Sequence, residues 1–206
     1  MRLYVAAAGA AMLALIGGSV FMAFVWPSGD DQFAQCRGST VSGGAGEIGG
    51  PFTLVDETGK TVTDADVITK PTLVYFGYTF CPDVCPLDAF RNGEAVDLLA
   101  ARGYDVGSIF ISIDPERDTP EQLAFFTDGM HPDMIGLTGT EEQVKAASRA
   151  YKTYYRKQDS EDEYYLVDHS TFTYLVDPEA GFLDFFRRDD SAEAIAERVQ
   201  CFMDAT

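Results

Sequence analysis

The chain is poor in histidine, tryptophan and positive charge. Its 206 residues hold two His, one Trp and 15 Lys plus Arg against 33 Asp plus Glu, a net charge of −18. The shortage of basic residues excludes nucleic acid as a partner, because phosphate binding needs clusters of Lys and Arg. The acid excess favours cationic partners or a basic patch on a partner protein, and it also keeps an exported domain soluble. With two histidines, at most two imidazoles can enter any metal site. No internal repeat is present. The four cysteines, Cys36, Cys81, Cys85 and Cys201, allow three pairings.

Charge is missing altogether from Leu3 to Trp26, a run of 24 residues. That is long enough to cross a bilayer as a helix. Arg2 lies on one side of it and Asp30 and Asp31 on the other, so the short N-terminus is expected in the cytoplasm and the rest outside. A cleaved signal peptide is the alternative, but its apolar core is only about 7–15 residues and ends at small side chains. Here the run is longer and its end, from Phe21 to Pro27, is bulky. The expectation is a single-pass anchor over residues 1–26, a flexible tether rich in Gly, Ser and Asp over 27–50, and one globular domain over 51–206. Without Arg2 the exported part has 14 basic against 33 acidic residues, or −19.

The domain reads as alternating strands and helices. Phe52–Val55 and Thr61–Val62 flank a turn signal, Asp56-Glu57-Thr58-Gly59. Thr72–Phe76 is β-branched and aromatic, a buried central strand, and Ile109–Ile113 is a second. A shorter apolar run follows at Met134–Leu137. From Pro86 to about Ala101, Leu87, Phe90, Val96 and Leu99 recur at helical spacing and predict a core-facing stripe. Thr119-Pro120-Glu121-Gln122 and Thr140-Glu141-Glu142-Gln143 carry N-cap signals for two more helices, the second reaching about Tyr151. Tyr154-Tyr155 and Tyr164–Val167, around the charged stretch Arg156–Glu163, predict a solvent-facing hairpin. Thr171–Val176 and Phe182–Phe186 predict another, and Ser191 caps a last helix ending near Met203. The order implies an α/β fold with a mixed sheet and helices on both faces. A dithiol helix after the central strand makes that fold thioredoxin-like.

Cys81 and Cys85 lie in Thr79-Phe80-Cys81-Pro82-Asp83-Val84-Cys85-Pro86, where the central strand becomes a helix. Residues i and i+4 share a helix face, so their sulfurs can converge on one ion or on each other. Unsatisfied backbone N–H groups at the helix start favour thiolate, the form that binds metal and attacks disulfides. A structural disulfide would stabilise little there, because it closes almost no loop. Zinc prefers four ligands, and only three strong candidates are present: Cys81, Cys85 and His169. Two soft sulfurs and one imidazole suit Cu(I). His169 precedes the penultimate hairpin, whose leading loop faces the dithiol in a thioredoxin-like sheet. His131, in Met130-His131-Pro132-Asp133, reads as an exposed loop histidine.

Taken together, the dithiol motif, Asp114-Pro115-Glu116-Arg117-Asp118-Thr119-Pro120 and Val167-Asp168-His169-Ser170 resemble the three motifs of the SCO/SenC copper-chaperone family, in the family's order. The match runs from about Ile48 to the C-terminus and includes the anchor. The resemblance implies a thioredoxin-like fold with an added β-hairpin and copper held at Cys81, Cys85 and His169, as Cu(I) or Cu(II). It implies delivery to the CuA site of cytochrome c oxidase subunit II. It also suggests an upstream copper donor and a place in the inner membrane with the domain in the periplasm, or facing the intermembrane space in a mitochondrion. Asp114 and Asp118 match the family's D-x-x-x-D motif, either steadying the site, facing a partner, or serving the turn. The alternative function is a membrane-anchored thiol–disulfide oxidoreductase using Cys81 and Cys85. The P-x-x-x-T-x-x-C pattern of peroxiredoxins and the C-x-x-C of thioredoxins are both absent. If the motif pair is functional, Cys36–Cys201 is the one other bridge, against two unpaired thiols.

Overall fold

The computed structural model describes residues 32–38, 45–160 and 164–206. The expected anchor, residues 1–26, lies outside them. Among the described residues no helix is long and apolar enough to cross a membrane. Cys36–Thr206 form one compact unit.

Two central strands organise that unit. β3 (Thr72–Gly77) is buried along its whole length, because its β-branched and aromatic side chains pack on both faces of the sheet. β4 (Gly107–Ser112) runs parallel to it, with Val74 opposite Ile109, and β5 (Met134–Thr138) runs parallel to β4. β1 (Thr53–Asp56) and β2 (Thr61–Thr63) form the first hairpin. The Asp56 carboxylate closes it by accepting from the backbone N–H groups of Thr58 and Lys60. On the other side, β8 (Thr173–Asp177) and β9 (Gly181–Phe186) form the last hairpin, with β8 antiparallel to β3. The seven-stranded order is β2-β1-β5-β4-β3-β8-β9. β6 (Tyr155–Lys157) and β7 (Val167–His169) pair only with each other, as a separate antiparallel ribbon.

Among the described residues the α-helices are α1 (Asp64–Val67), α2 (Val84–Ala101), α3 (Pro120–Met130), α4 (Glu141–Ala150) and α5 (Ala192–Asp204). Thr119, Thr140 and Ser191 accept from the third residue of α3, α4 and α5 respectively, as their spacing predicts. Successive side chains of β3 point to opposite faces. On one face Tyr75 meets Phe110, which meets Phe126 of α3. On the other Phe76 packs on Tyr151 and Tyr174, with Phe52 and Phe182 beyond them. Helices therefore cover both faces, in a thioredoxin-like α/β architecture with an added ribbon.

Two readings of side-chain environment are corrected. Leu87 and Phe90 are exposed, at 60% and 52%. Val96 and Leu99 are buried as their spacing predicts, and the rest of the buried face of α2 is Cys85, Asp88, Ala89, Asn92, Gly93 and Ala95. Burying Cys85 against the sheet sets the helix's rotation, and Leu87 and Phe90 then turn outward. His131 is buried rather than exposed. Its ring fits because Gly93 has no side chain: a Cβ there would lie 2.9 Å from the His131 Cβ. Its Nδ1 accepts from the Asp133 N–H, and its Nε2 faces Asp97 at 3.3 Å.

Candidate metal centre

The three parallel strands deliver their C-terminal ends to one edge of the sheet, where α/β folds place ligand sites. Cys81 lies in the loop leaving β3, and Cys85 is the second residue of α2. Because β8 runs antiparallel to β3, with Thr173 opposite Tyr75, the segment leading into β8 arrives at the same edge. His169 lies four residues before Thr173, at the end of the ribbon. This topology brings it to the dithiol. Its Nε2 lies 3.4 Å from the Cys85 Sγ.

The histidine tautomer follows from its second contact. His169 Nδ1 is 3.1 Å from the Val167 carbonyl oxygen. A carbonyl can only accept, so Nδ1 carries the proton and the Nε2 lone pair points toward the sulfur. The Tyr78 ring meets the His169 ring edge-on, with centroids 5.7 Å apart, and its hydroxyl accepts from the Val167 N–H at 3.3 Å. Tyr78 thus joins the strand end to the ribbon, a role its place in a run of apolar residues did not reveal.

Cys81 and Cys85 are buried free thiols, and the Cys85 N–H points at the Cys81 Sγ at 3.4 Å. Hydrogen bonding from the Cys85 side chain lowers the Cys81 pKa to about 5. The N–H groups of Asp83, Cys85 and Val84 reinforce it, and burial opposes it. Burial pushes the Cys85 thiol the other way, strongly up, with Cys81 adding to the effect. Both effects favour thiolate at Cys81 and thiol at Cys85. Among the described residues no three His, Cys, Asp or Glu side chains are already gathered closely enough to enclose an ion. Cys85 is in contact with both Cys81 and His169, and the set of three stays open.

Three further neighbours were not legible as site residues. Gly77, the last residue of β3, lies beneath Cys85. A Cβ there would lie 2.8 Å from the Tyr75 ring and 3.0 Å from both the Cys85 Sγ and Phe110. Tyr75 donates to Asp88 at 3.0 Å on the side of the sheet that faces α2. Asp88 is also flanked by Arg91 at 3.4 Å, and burial raises its pKa. A Gly closing an apolar strand just before a dithiol loop is the one signal that could have pointed to this floor. Asp114 and Asp118 are both buried and do not face solvent.

A family model described as SCO1/SenC matches residues 41–204. Protein SenC of Rhodobacter capsulatus is 58% identical over 199 residues, covering 97% of this chain and 89% of that protein. The crystal structure of Arabidopsis thaliana ScoI with copper bound has a TM-score of 0.73 at 41% identity, covering 76% of this chain and 99% of that one. BsSco, a member of the Sco family of cytochrome c oxidase assembly proteins in which a disulfide switch was identified, has a TM-score of 0.60 at 26% identity. That match covers 74% of this chain and 91% of its own. The fold and the dithiol define a thioredoxin-like protein with a buried, unpaired cysteine pair beside a histidine. The chain belongs to the SCO1/SenC family.

Proposed function

We propose that this protein is a membrane-anchored copper chaperone acting in cytochrome c oxidase assembly, with Cys81, Cys85 and His169 as its copper ligands. The observation that carries the reading is the 3.4 Å approach of His169 Nε2 to the Cys85 Sγ, between residues 84 apart in sequence. Two sulfurs and a neutral imidazole form a soft, low-coordinate donor set, which suits Cu(I). Three-coordination leaves room for an incoming ligand, so copper can pass by stepwise exchange to the CuA site of oxidase subunit II without release as a free ion. Oxidation to the Cys81–Cys85 disulfide removes both sulfur donors and with them the site. The uncharged run Leu3–Trp26 holds the domain at the outer face of the inner membrane. Further support comes from copper-bound relatives, among them the Arabidopsis thaliana ScoI structure.

The low pKa of Cys81 and the disulfide switch of BsSco favour a second reading, reduction of a partner's disulfide. The Cys81 thiolate would attack one partner sulfur and release the other as thiolate. Cys85, giving up its proton, would then attack the Cys81 sulfur of the mixed disulfide and release the partner's second thiolate to take up that proton. That would leave the Cys81–Cys85 disulfide and the partner reduced by two electrons. Copper stoichiometry of Cys81→Ser, Cys85→Ser and His169→Ala separates the readings. Under the chaperone reading each loses most of its copper, and undiminished binding in any one removes that residue from the site. Under the reductase reading His169→Ala still reduces a partner disulfide at a rate near the wild type.

A further inference from the structure

The loop after β4 carries two buried carboxylates, Asp114 and Asp118, at 4% and 1% exposure. Helix initiation does not require them, because Thr119 already caps α3. Asp118 accepts from the Thr79 N–H at 3.1 Å, the Thr79 hydroxyl at 2.7 Å and the Ser112 hydroxyl at 2.6 Å. Thr79 lies two residues before Cys81. Asp114 accepts from the Tyr165 hydroxyl at 2.6 Å and from Arg117 Nε at 2.6 Å. Tyr165 lies four residues before His169, and the Arg117 guanidinium sits 3.6 Å over its ring. Ser112 links the two arms, receiving from the Asp114 N–H at 3.0 Å while donating to Asp118.

One short loop therefore grips both segments that carry the candidate ligands. The grip on the ribbon matters most, because β6 and β7 share no ladder with the seven-stranded sheet. Side chains such as Tyr165 and Tyr78 attach it. Both carboxylates already accept from several donors, which leaves them poorly placed to ligate an ion themselves.

We infer that Asp114 and Asp118 are positioning residues for the copper site, Asp118 acting through Thr79 on Cys81 and Asp114 acting through Tyr165 on His169. The inference rests on the copper reading above. Groups that orient metal ligands from behind typically change metal affinity by roughly 10–100-fold when altered.

The test measures Cu(I) affinity of the full chain in detergent, reduced and without oxygen, against a chromogenic Cu(I) chelator. The folded fraction is followed by circular dichroism. Tyr165→Phe keeps the ring but removes the hydroxyl, and is expected to weaken binding roughly 10–100-fold. In the His169→Ala background the same substitution changes nothing further, because its target is gone. Thr79→Val weakens binding in both backgrounds, because it acts through Cys81. Asp114→Asn, which keeps a carbonyl acceptor for Tyr165, stays within a few-fold of wild type, whereas Asp114→Ala does not. A lowered melting temperature with unchanged affinity would mean a purely structural role and overturn the inference. So would equal weakening by Tyr165→Phe in both backgrounds. Wild-type protein that takes up no Cu(I) sinks the copper reading and this inference together.

Discussion

The two cysteine pairs of this domain have opposite arrangements. Cys36 and Cys201 are 165 residues apart in sequence, yet their Cα atoms lie 5.6 Å apart and their sulfurs are bonded. Cys81 and Cys85 are four residues apart and remain free thiols. In the chain-entropy picture the long-range bridge contributes about 5 kcal/mol, whereas closing the short pair would contribute only about 2 kcal/mol. The cross-link lies where it constrains the unfolded chain most. The free pair lies where a cross-link would do little, and is surrounded instead by N–H donors, an imidazole and a glycine floor.

The largest effect that tests this contrast is removal of the long bridge. Cys36→Ser with Cys201→Ser should cost up to about 5 kcal/mol in urea unfolding, with copper uptake per folded molecule unchanged. Loss of copper binding in that variant would break the division of roles. Gly77→Ala reverses the balance: its Cβ would lie 3.0 Å from the Cys85 Sγ. Overpacking of this kind costs about 1–3 kcal/mol, and copper affinity should fall as well. A variant with wild-type affinity would show that the floor beneath Cys85 is not needed.

Ionisation sharpens the comparison further. Folding holds the Cys81 pKa below its ordinary value, so thiolate stabilises the fold. That contribution is complete above the ordinary thiol pKa and is lost as pH falls through about 5. Ultraviolet absorbance of the reduced protein should report one thiolate at neutral pH, absent from Cys81→Ser. A single transition near the ordinary thiol value would contradict the asymmetry. The smallest effect is expected at the exposed rim of the same helix: Leu87→Ala should change stability by no more than about 0.5 kcal/mol. A cost of several kcal/mol would restore Leu87 to the core.

The strands β3, β4, β8 and β9, and the starts of α3, α4 and α5, were legible because they depend on local signals. These are β-branched runs, turn residues, and Thr or Ser followed three positions later by a free N–H. The face of α2 was legible only in its later turns: the periodicity placed Val96 and Leu99 inside, where they are, but also Leu87 and Phe90, whose place is taken by Asp88 and Asn92. Their polar groups are met by Tyr75 and Thr173, residues from distant strands. His131 was misread for a similar reason, since the space for its ring is made 38 residues earlier, at Gly93. The pairing of Cys36 with Cys201 stayed open because sequence spacing carries no information on a contact across 165 residues.

By itself the sequence determined the donor types, the two thiols four residues apart at a strand-to-helix junction, and the caps and turns, because each arises within a few residues. Only the tertiary structure decided which nitrogen of His169 faces the sulfur, which thiol is the thiolate, and what braces the two segments. Those depend on β8 running antiparallel to β3 and on carboxylates buried between loops, contacts that form only when remote parts of the chain exclude water together.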